Sequence, residues 1–599
     1  MLWQQGGVVL FVREPVPEAV SRDTPVTLIP CKCRHAVLRA RLCVLWVLVA
    51  ALGIQARDLY VSPSGTPSGP GTIAEPYDLA TAVSGQVVRP GDTFWLRGGN
   101  YVIGHVNTTI GGAPGQPVTF RQLPGEQARI DGSLTFWGQA GHVVLRDFEL
   151  YSSDTNRLST QTNVGISPPP TDINPVIGIG CFSPNFSFIN LIVHDHTRSG
   201  IYISGISTNT LVYGCVVYNN GWASPDNAEG HSFYVQSNIG TRVLADNVAF
   251  NAAGANFHIY ESHSGGRLMG VTLDGNVAFH AGALQAVRRY ADWIVGVDAP
   301  AIQADGIVLK NNMAYLPPAL AAADQVQIGR EGINGSVAIL NNYLPLGLVL
   351  NNWTNAVVSG NFLAAQTANP IVQLNQTQTS LAAAWDDNSY WGLKTGRDFQ
   401  SNSIQYDFSE WQQATGYDGN STHTVGSLAG TKVFVRPNQY EAGRAHIIVY
   451  NWDNLASVPV DVGSVVPVGA SYQVFNVQNL SAPPLLSGVF EGKPLLLPTT
   501  GLTVAAPNGP LLTPPPTGPT FNVFVLLPCR ARLGIRQVTN AVEVSWPTNS
   551  GPSVLQSRDG WSLTNAWTDV EPAPELRGGQ YAVTNSMTAT ARFYRLRSR

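Results

Sequence analysis

The feature that most restricts the fold of this chain is a short pattern that recurs between about Val144 and Trp391. Each copy has an apolar residue, two variable residues, usually an Asn, two further residues, and an apolar or aromatic residue, as in Leu244–Phe250 and Leu273–Phe279. The key positions, which are 19 to 43 residues apart, are Asp147, Asn190, Cys215, Asn247, Asn276, Asn312, Asn342, Asn361 and Asn388. Such self-similarity is typical of stacked supersecondary units.

The repeated units are short β runs of alternating polarity, broken by Asn and Gly, and they show no helical periodicity. This pattern favours a parallel β-solenoid, in which each coil pairs its backbone with the coils above and below. An Asn that recurs at one corner can stack as a ladder, and Asn tolerates the left-handed backbone of a sharp corner. Cys215 fits the same place as a small buried residue. The alternative is that each Asn marks an ordinary β-turn.

Composition narrows the class of protein further. The 599 residues can bury a large core and form several domains. The chain is 44% hydrophobic and 12% charged, with 59 Gly and 41 Pro, which suits an all-β extracellular protein. Its net charge of −4 offers no basic surface for nucleic acid, so no nucleic-acid partner is predicted. An acidic polysaccharide would need a local basic groove. The oligomeric state is left open.

The six cysteines do not make a disulfide scaffold. Three lie near the N-terminus, and the other three are Cys181, Cys215 and Cys529. The sequence allows either a disulfide bridge between Cys181 and Cys215 on neighbouring coils or a pair of buried thiols. No CxxC pair or His cluster has zinc-site spacing, and no metal ligand is assigned.

Residues 34–56 read as a secretory signal, and 1–56 as an N-terminal extension with that signal. Arg34, Arg39 and Arg41 form a basic region before the apolar stretch Leu42–Leu52, and Ala56 closes a cleavage site. The apolar run is short for a membrane span. We therefore expect a secreted or cell-surface protein with no membrane contact in its mature form. An uncleaved signal would make it membrane-anchored.

The segment that follows carries a family resemblance. It reads Asp58-Leu-Tyr-Val-Ser-Pro-Ser-Gly65, then Arg89-Pro-Gly-Asp-Thr-Phe-Trp-Leu-Arg-Gly-Gly-Asn-Tyr101, then Gly115–Arg121 and Ile130-Asp-Gly132. In these motifs the chain resembles the secreted bacterial right-handed parallel β-helix proteins of the pectin-lyase-like superfamily. The resemblance covers about 58–395 and implies a right-handed parallel β-helix over 57–395. It also implies an N-terminal capping helix, for which Pro76–Val83 has the amphipathic pattern. The superfamily includes lyases, hydrolases, epimerases and proteins without shown activity, so activity has to be argued from the site.

The repeat stops after Trp391, and residues 396–430 are predicted to be an irregular linker. Strands at sandwich-like spacing then predict a β-sandwich over 431–528. Residues 529–599 are predicted to form a small β-module. This module is similar to one that ends in the same Arg592-Phe-Tyr-Arg-Leu596 motif in secreted proteins of environmental bacteria. The predicted fold is thus all-β throughout: a β-helix, a β-sandwich and a small β-module.

The candidate site follows from aligning three strands. Alternation turns Ile201, Phe233 and Phe257 inward, so that three side chains point outward one above another. The outward residues are Tyr202, Tyr234 and His258. Beside them in the sequence are Arg198, His231, Gln236, Tyr260 and Glu261, and the segment 222–230, which would overhang this face, carries Asp226 and Glu229.

Such a cluster suits a uronic-acid-containing polysaccharide. Arg198 would neutralise the uronate carboxylate. A Tyr or His (Tyr202, Tyr234, His231 or His258) would remove the proton alpha to it, and another would protonate the leaving oxygen. This is β-elimination, and the related reaction is epimerisation. Tyr260, Gln236, Asp226 and Glu229 would contact substrate. The alternative is that these aromatic residues merely stabilise the sheet across its strands.

Two other functions stay open. Hydrolysis would use Glu261 with Asp226 or Glu229, while Asp195 is a third choice. A non-catalytic protein could use the same face to bind carbohydrate or a cell surface. The resemblance also includes calcium-dependent lyases, and Asp226, Glu229 and Glu261 could bind Ca²⁺, although no spacing requires it. The calcium-dependent lyases use a basic residue as base, but Lys310 is the only Lys of the repeat region.

Overall fold

A computed structural model describes residues 56–138, 141–262, 266–298, 303–317, 320, 326–365, 370–376, 380–392, 397–528, 533–547, 553–559, 566–577, 580–586 and 592–598. The predicted signal, apart from Ala56, lies outside the described residues, and so do the three N-terminal cysteines and Cys529. Within the described ranges, no helix has the length and apolarity needed to cross a membrane.

Parallel strands dominate residues 58–425, as the repeat predicts. One sheet, which we call sheet 1, has twelve parallel strands. Its strands are Asp58–Val61, Thr93–Leu96, Val118–Gln122, Val143–Arg146, Phe186–Ile189, Thr210–Tyr213, Arg242–Ala245, Val271–Asp274, Ile307–Lys310, Asn334–Leu340, Trp353–Ser359 and Ala382–Asp386.

Two further parallel columns complete each coil. Sheet 2 follows the corner that carries the repeated Asn. Its strands are Glu149–Tyr151, Ile192–His194, Val216–Tyr218, Val248–Phe250, Val277–Phe279, Met313–Tyr315, Tyr343–Leu344, Phe362–Ala364, Ser389–Gly392 and Thr422–Val425. Sheet 3 consists of Ile179–Cys181, Ile201–Ile203, Phe233–Val235, Phe257–Glu261, Trp293–Val297, Val326–Ile328, Leu348–Asn351, Val372–Asn375 and Phe399–Ser401. The long strands Gly99–Thr108 and Ala128–Phe136 run through both sheets at the N-terminal end. The predicted parallel β-helix is therefore confirmed.

Shorter strands are attached to the coils. A two-stranded hairpin is formed by Trp222–Ala223 and Ala228–Glu229, and a parallel pair by Leu268–Met269 and Ala304–Asp305. Ile404–Tyr406 turns back against Phe399–Ser401.

The predicted Asn ladder is present at the corner between sheets 1 and 2. The side-chain amide of Asn247 donates to Oδ1 of Asn276 at 2.8 Å, and the same bond repeats on each following rung at 2.9–3.1 Å. The rungs are Asn247, Asn276, Asn312, Asn342, Asn361 and Asn388. Each Asn on this ladder from Asn276 onward also accepts from the backbone N–H of the rung before it, so that these buried amides are bonded.

The prediction was wrong by one residue in the first two coils. The register aligns Asp147 and Asn190 with Asp246, which precedes Asn247. These preceding positions have the left-handed backbone (φ 65°, 54° and 52°), so the sharp bend is made one residue before the ladder. The ladder position itself is occupied by Phe148 and Leu191, and then by Cys215, whose N–H donates to Asn247 at 2.9 Å. The ladder position is thus held by apolar packing in the first coils and by hydrogen bonds between side chains only from Asn247 onward.

Both ends of the coil are covered. Helix α1 (Leu79–Val83) begins after Asp78, whose carboxylate accepts from Thr81 N–H at 2.6 Å, and it buries Leu79 and Val83 in the core as predicted. Helix α2 (Phe408–Thr415) covers the other end with the buried Trp411. It lies in the segment predicted as an irregular linker, where Asp407 and Glu410 form a capping box.

Cys181 and Cys215 are both buried free thiols inside the coil. The structure therefore selects the pair of thiols over the bridge. Burial raises the pKa of the Cys181 thiol to about 11 and that of Cys215 to about 12.

The predicted sandwich strands are present. A five-stranded sheet is built from Thr431–Pro437, Ala445–Asn451, Phe521–Pro528, Ser471–Asn476 and Leu486–Val489, and a two-stranded sheet from Ser457–Val460 and Leu495–Pro498. A 3₁₀ turn covers Val477–Asn479. Beyond them, a four-stranded sheet is formed by Gly534–Val538, Ala541–Pro547, Gln580–Ser586 and Glu575–Arg577, and a three-stranded sheet by Thr568–Asp569, Ser553–Asp559 and Arg592–Ser598.

The sandwich packs against the outer face of sheet 2. Along strand Ala445–Asn451, Ile447 faces the sandwich interior, whereas Tyr450 faces the β-helix. Phe521 stacks on Tyr315 with ring centroids 4.6 Å apart and meets Phe279 edge-on at 5.4 Å. Sheet 2 is thus covered over this part of its length, whereas the predicted site lies on strands of sheet 3.

Candidate functional site

The outward row of sheet 3 has the predicted register. Tyr202 pairs with Tyr234, and Tyr234 pairs with His258, while the flanking Phe233 and Phe257 are fully buried in the coil. The rings of Tyr202 and Tyr234 are 5.3 Å apart, and those of Tyr234 and His258 are 5.1 Å apart and nearly parallel. Strand alternation alone therefore places these three side chains outside the core.

Two histidines of the cluster are joined by a hydrogen bond. Nδ1 of His258 lies 3.0 Å from Nε2 of His231, and Nδ1 of His231 lies 3.2 Å from the carbonyl of Ala255. Burial lowers the pKa of His231 to about 4, and burial, the neighbouring His231 and Arg330 hold the pKa of His258 well below its usual range. Both imidazoles are therefore neutral near pH 7, and a neutral imidazole can accept a proton.

The tyrosines of the row are proton donors. Burial is the largest cause that raises the pKa of Tyr234, and the negative charges of Glu261 and Glu229 add to it. The pKa of Tyr202 is raised for similar reasons, and its hydroxyl donates to Oε1 of Gln236 at 2.7 Å. Their phenol groups thus keep their protons at neutral pH.

Tyr260 extends the cluster by one further position. Its ring stacks on His258 at 4.4 Å, and its hydroxyl donates to the carboxylate of Asp298. The same carboxylate pairs with Arg330, whose guanidinium lies over the Tyr260 ring at 5.7 Å. Arg330 and Asp298 were missed in the sequence because they lie on later coils. The register of His258 with Ile294 and Gln327 would have pointed to this neighbourhood.

Glu261 and Gln236 lie side by side and are buried. Nε2 of Gln236 is 3.4 Å from Oε1 of Glu261, and the N–H of Ser262 donates to the same oxygen at 2.9 Å. A side chain at Gly266 would collide with Glu261, so the backbone of Gly266 lies directly against this side chain. Glu261 therefore lies buried next to Tyr202.

Glu229 and Arg198 complete the cluster from the loops. Glu229 ends the second strand of the hairpin, Ala228–Glu229. Burial raises the pKa of Glu229, and the positive charges of Arg288 and Arg198 oppose this shift. The positive charge of Arg198 lowers the pKa of both Tyr234 and His231, although burial has the larger effect on each. The predicted overhanging segment thus contributes the carboxylate of Glu229, whereas Arg198 comes from the chain before strand Ile201–Ile203.

Asp226 lies elsewhere. Its carboxylate is on the exposed side of the hairpin, where it accepts from the N–H of Asn163 at 2.8 Å and from Ser224 at 3.1 Å. It lines a surface hollow with Asn163 and Arg288 and is not in contact with the row. Asp226 therefore stabilises the turn of the hairpin, and its contact with substrate stays a prediction.

The carboxylate of Asp195 is also occupied by structural contacts. Its carboxylate pairs with His194 and with the fully buried Arg157, both at 2.8 Å, and it accepts from the N–H of Asn508 at 2.9 Å. Asn508 belongs to a loop of the sandwich, which thereby docks on this corner of the β-helix. The side chain of Asp195 is accordingly structural.

The predicted acidic residues do not fit a calcium ion. Across the described ranges, no group of three or more His, Cys, Asp or Glu is arranged to hold a metal, and this includes Asp226, Glu229 and Glu261.

The fold and this face define a right-handed parallel β-helix with an outward cluster of titratable residues. Residues 59–293 match the model of the Pel9A-like right-handed β-helix region. The predicted resemblance to β-helix proteins of the pectin-lyase-like superfamily is thereby confirmed.

Two relatives are similar over parts of the chain. Pectate lyase L of Paenibacillus polymyxa is 29% identical over 250 residues, which are 39% of this chain and 51% of the relative. Pectate lyase PEL9 of Emericella nidulans is 35% identical over 89 residues, which are 14% of this chain and 22% of the relative. The alignments thus span about half and about a fifth of these relatives.

Two solved structures are similar to parts of this chain. Pectate lyase Pel9A is 16% identical with a TM-score of 0.36, covering 56% of this chain and 81% of that one. A rhamnogalacturonan lyase is 17% identical with a TM-score of 0.39, covering 55% and 88%.

Proposed function

We propose that this protein cleaves a uronic-acid-containing polysaccharide by β-elimination on the outer face of sheet 3. The observation that carries the proposal is the grouping of a neutral His258, a protonated Tyr234 and the cation Arg198 at one outward-facing, half-buried row. The reaction needs a base, an acid and a positive charge, and this row supplies all three. The partial match to pectate lyases agrees with this chemistry.

His258 is the base in this proposal. The carbonyl of Ala255 can only accept, so His231 carries its proton on Nδ1 and offers Nε2 to His258. His258 then carries its own proton on Nδ1, and the lone pair of its Nε2 is left for the substrate. This nitrogen would take the proton at C5 of the uronate, alpha to its carboxylate.

Tyr234 is the acid. As C5 loses its proton, the electron pair forms the C4–C5 double bond and the C4–O4 bond breaks. The leaving O4 takes the phenol proton of Tyr234, whose ring lies 5.1 Å from that of His258. Return of the proton from His258 to Tyr234 through solvent restores both groups.

Negative charge that develops on the uronate carboxylate requires a cation. The charge of Arg198 acts on Tyr234, and the charge of Arg330 acts on His258. Arg330 already pairs with Asp298, whereas the charge of Arg198 acts on Tyr234, Tyr202 and His231. We assign carboxylate neutralisation to Arg198.

Hydrolysis is supported less well. It needs two carboxylates that flank the scissile bond. Asp226 is turned away from the row, and Glu261 is buried and bonded to Gln236 and Ser262. Glu229 remains near Tyr234, but no second carboxylate of the predicted set faces it across an open space.

The test is incubation of the purified protein with polygalacturonate, alginate and glycosaminoglycans while absorbance is followed in the unsaturated-uronate band. Elimination gives a rising signal on at least one polymer, and that signal disappears in His258→Ala. New reducing ends without the absorbance would indicate hydrolysis instead. Binding without any product would favour a carbohydrate-binding protein and overturn the proposal.

A further inference from the structure

The aromatic row does not end at Tyr202. On its N-terminal side, the ring of Phe182 lies 5.2 Å from that of Tyr202, and the indole of Trp137 stacks on Phe182 at 3.9 Å with an angle of 11° between the planes. Trp137 directly follows the long strand Ala128–Phe136, whose end pairs with the strand before Phe182. One continuous band of rings therefore runs from Trp137 to Tyr260 along sheet 3.

Trp137 is unusual in its exposure. Of the tryptophans in the described ranges, it alone is classed as exposed, with 44% of its surface open to solvent. Trp222, Trp293 and Trp353, by contrast, are almost completely buried. A large exposed ring beside a candidate site is a usual mark of a ligand contact.

Polar groups hold this indole in one orientation. Its Nε1 donates to Oδ1 of Asn107 at 2.9 Å, and the Asn107 amide lies 3.2 Å from Nε2 of His105. His105 in turn lies 2.6 Å from the hydroxyl of Ser133. Asn107 and His105 are exposed. A fixed aromatic ring bordered by exposed amide and imidazole groups can bind the apolar face and the hydroxyls of a sugar together.

The surface between Trp137 and Tyr202 is kept low by a glycine. Gly180 occupies the outward position that pairs with Tyr202. A Cβ at this position would lie 3.0 Å from Oγ1 of Thr135 and 3.3 Å from the Phe182 ring. A side chain at 180 would therefore crowd the ring and raise the floor of the groove.

We propose that Trp137 and Phe182 form a distal sugar-stacking subsite for the polysaccharide on which the row acts. The inference rests on the proposed function for the identity of the ligand. Trp137 is three strands away from Tyr234, or about 14 Å at the usual strand spacing. One sugar ring cannot span this distance, so the subsite selects for an extended glycan chain, bound across the strands along the axis of the coil.

The test measures binding in the Tyr234→Phe background, in which turnover is suppressed. Affinity for the polymer that responds in the absorbance assay, or for polygalacturonate and alginate if none does, is measured by titration calorimetry with long and short oligosaccharides. Trp137→Ala is expected to weaken binding of long chains about tenfold, which corresponds to ~1.4 kcal/mol, and to leave short chains unchanged. Trp137→Phe should restore most of the affinity. Val357→Ala, at an exposed position of sheet 1, is the matched control.

The outcomes separate the two proposals. Loss of long-chain binding in Trp137→Ala with an unchanged melting temperature supports the subsite, even if the wild-type protein gives no product on any polymer. Equal binding of Trp137→Ala and wild type, or an equal loss for long and short chains, overturns it, even if elimination is observed. A fall in melting temperature without a change in affinity would assign the ring stack to stability and overturn the subsite as well.

Discussion

Nδ1 of His258 and Nε2 of His231 are 3.0 Å apart, and this single hydrogen bond determines which nitrogen of His258 can react. His231 is itself oriented by the carbonyl of Ala255. In the proposed mechanism, His258 is therefore a base with a fixed tautomer, and His231 is the second partner that fixes it. Most of the chemistry proposed for this chain depends on that relationship.

His258→Ala should abolish turnover. Loss of a general base typically lowers the rate about 10²- to 10⁴-fold. Because His258 is on the outer face, circular dichroism and the melting temperature should change little. Gln373→Ala, in the same outward column several coils further on, is the control and should keep full activity. Substantial activity in His258→Ala would remove the residue from the mechanism.

His231 acts through His258, so its substitution has a different signature. His231→Phe removes the acceptor at Nε2 and should lower kcat while shifting the acidic limb of the pH profile, since His258 can then adopt the other tautomer. A loss of activity with an unchanged pH profile would indicate a merely structural role for His231.

Tyr234→Phe should lower kcat about 10²- to 10⁴-fold with little change in KM, because only the phenol proton is lost. A uronide that carries an activated aryl group on O4, whose phenolate leaves from C4 without protonation, should be cleaved equally well by this variant and by wild type. If the variant is equally slow on both kinds of substrate, Tyr234 is not the acid.

Asn312→Ala should destabilise the coil. Oδ1 of Asn312 accepts from both nitrogens of Asn276, and its amide donates to Asn342 at 3.0 Å and to the carbonyl of Leu273 at 2.9 Å, all in the core. Each buried partner that is left without a hydrogen bond costs about 1–3 kcal/mol. The free energy of unfolding should therefore fall by at least ~2 kcal/mol. Urea unfolding measures it, with the exposed Asn355→Ala as control, for which a change within about 0.5 kcal/mol is expected.

The free energy of unfolding should decrease as the pH falls below neutrality. Burial lowers the pKa of His231 and His196 to about 4 and that of His280 to about 3, from an ordinary 6.5. The unfolded chain therefore binds more protons than the folded chain as pH falls from 6.5 to about 3, and the free energy of unfolding decreases over this window. Melting temperatures across a pH series would show it, and a flat curve there would contradict it.

His194 should act in the opposite direction. Its bonds to Asp195 and Glu149 outweigh burial and raise its pKa to about 9. The folded state then holds the extra proton above pH 6.5, so the stabilisation is complete below that value and is lost as pH rises through about 9. His194→Gln should lose this alkaline decline selectively. An identical alkaline curve in the variant would exclude His194 as its source.

The repeat was enough to predict the stacking of coils because each rung is a local pattern. Leu244 and Leu273 pair as expected, and so do Tyr202, Tyr234 and His258. The frame of the first coils could not be read correctly, since Asp147 and Asn190 resemble rungs in residue type but take the left-handed bend one position earlier. Residue type alone does not separate a ladder from a turn there.

The rest of the site depends on contacts between distant parts of the chain. Asp195 has a carboxylate suited to catalysis, yet Asn508, 313 residues away, and Arg157 bind it. Arg330 and Trp137 enter the row from coils on either side of the aligned strands. No local pattern shows that such residues meet, because loop length between coils varies freely.

The rungs of the Asn ladder are separated by 19 to 36 residues, while the bonds between them stay at 2.8–3.1 Å. Additional residues in a longer coil are therefore absorbed by loops without disturbing the neighbouring turns. The chain can thus exchange the segments around the row, such as the Trp222–Glu229 hairpin, and acquire a new glycan preference on an unaltered scaffold.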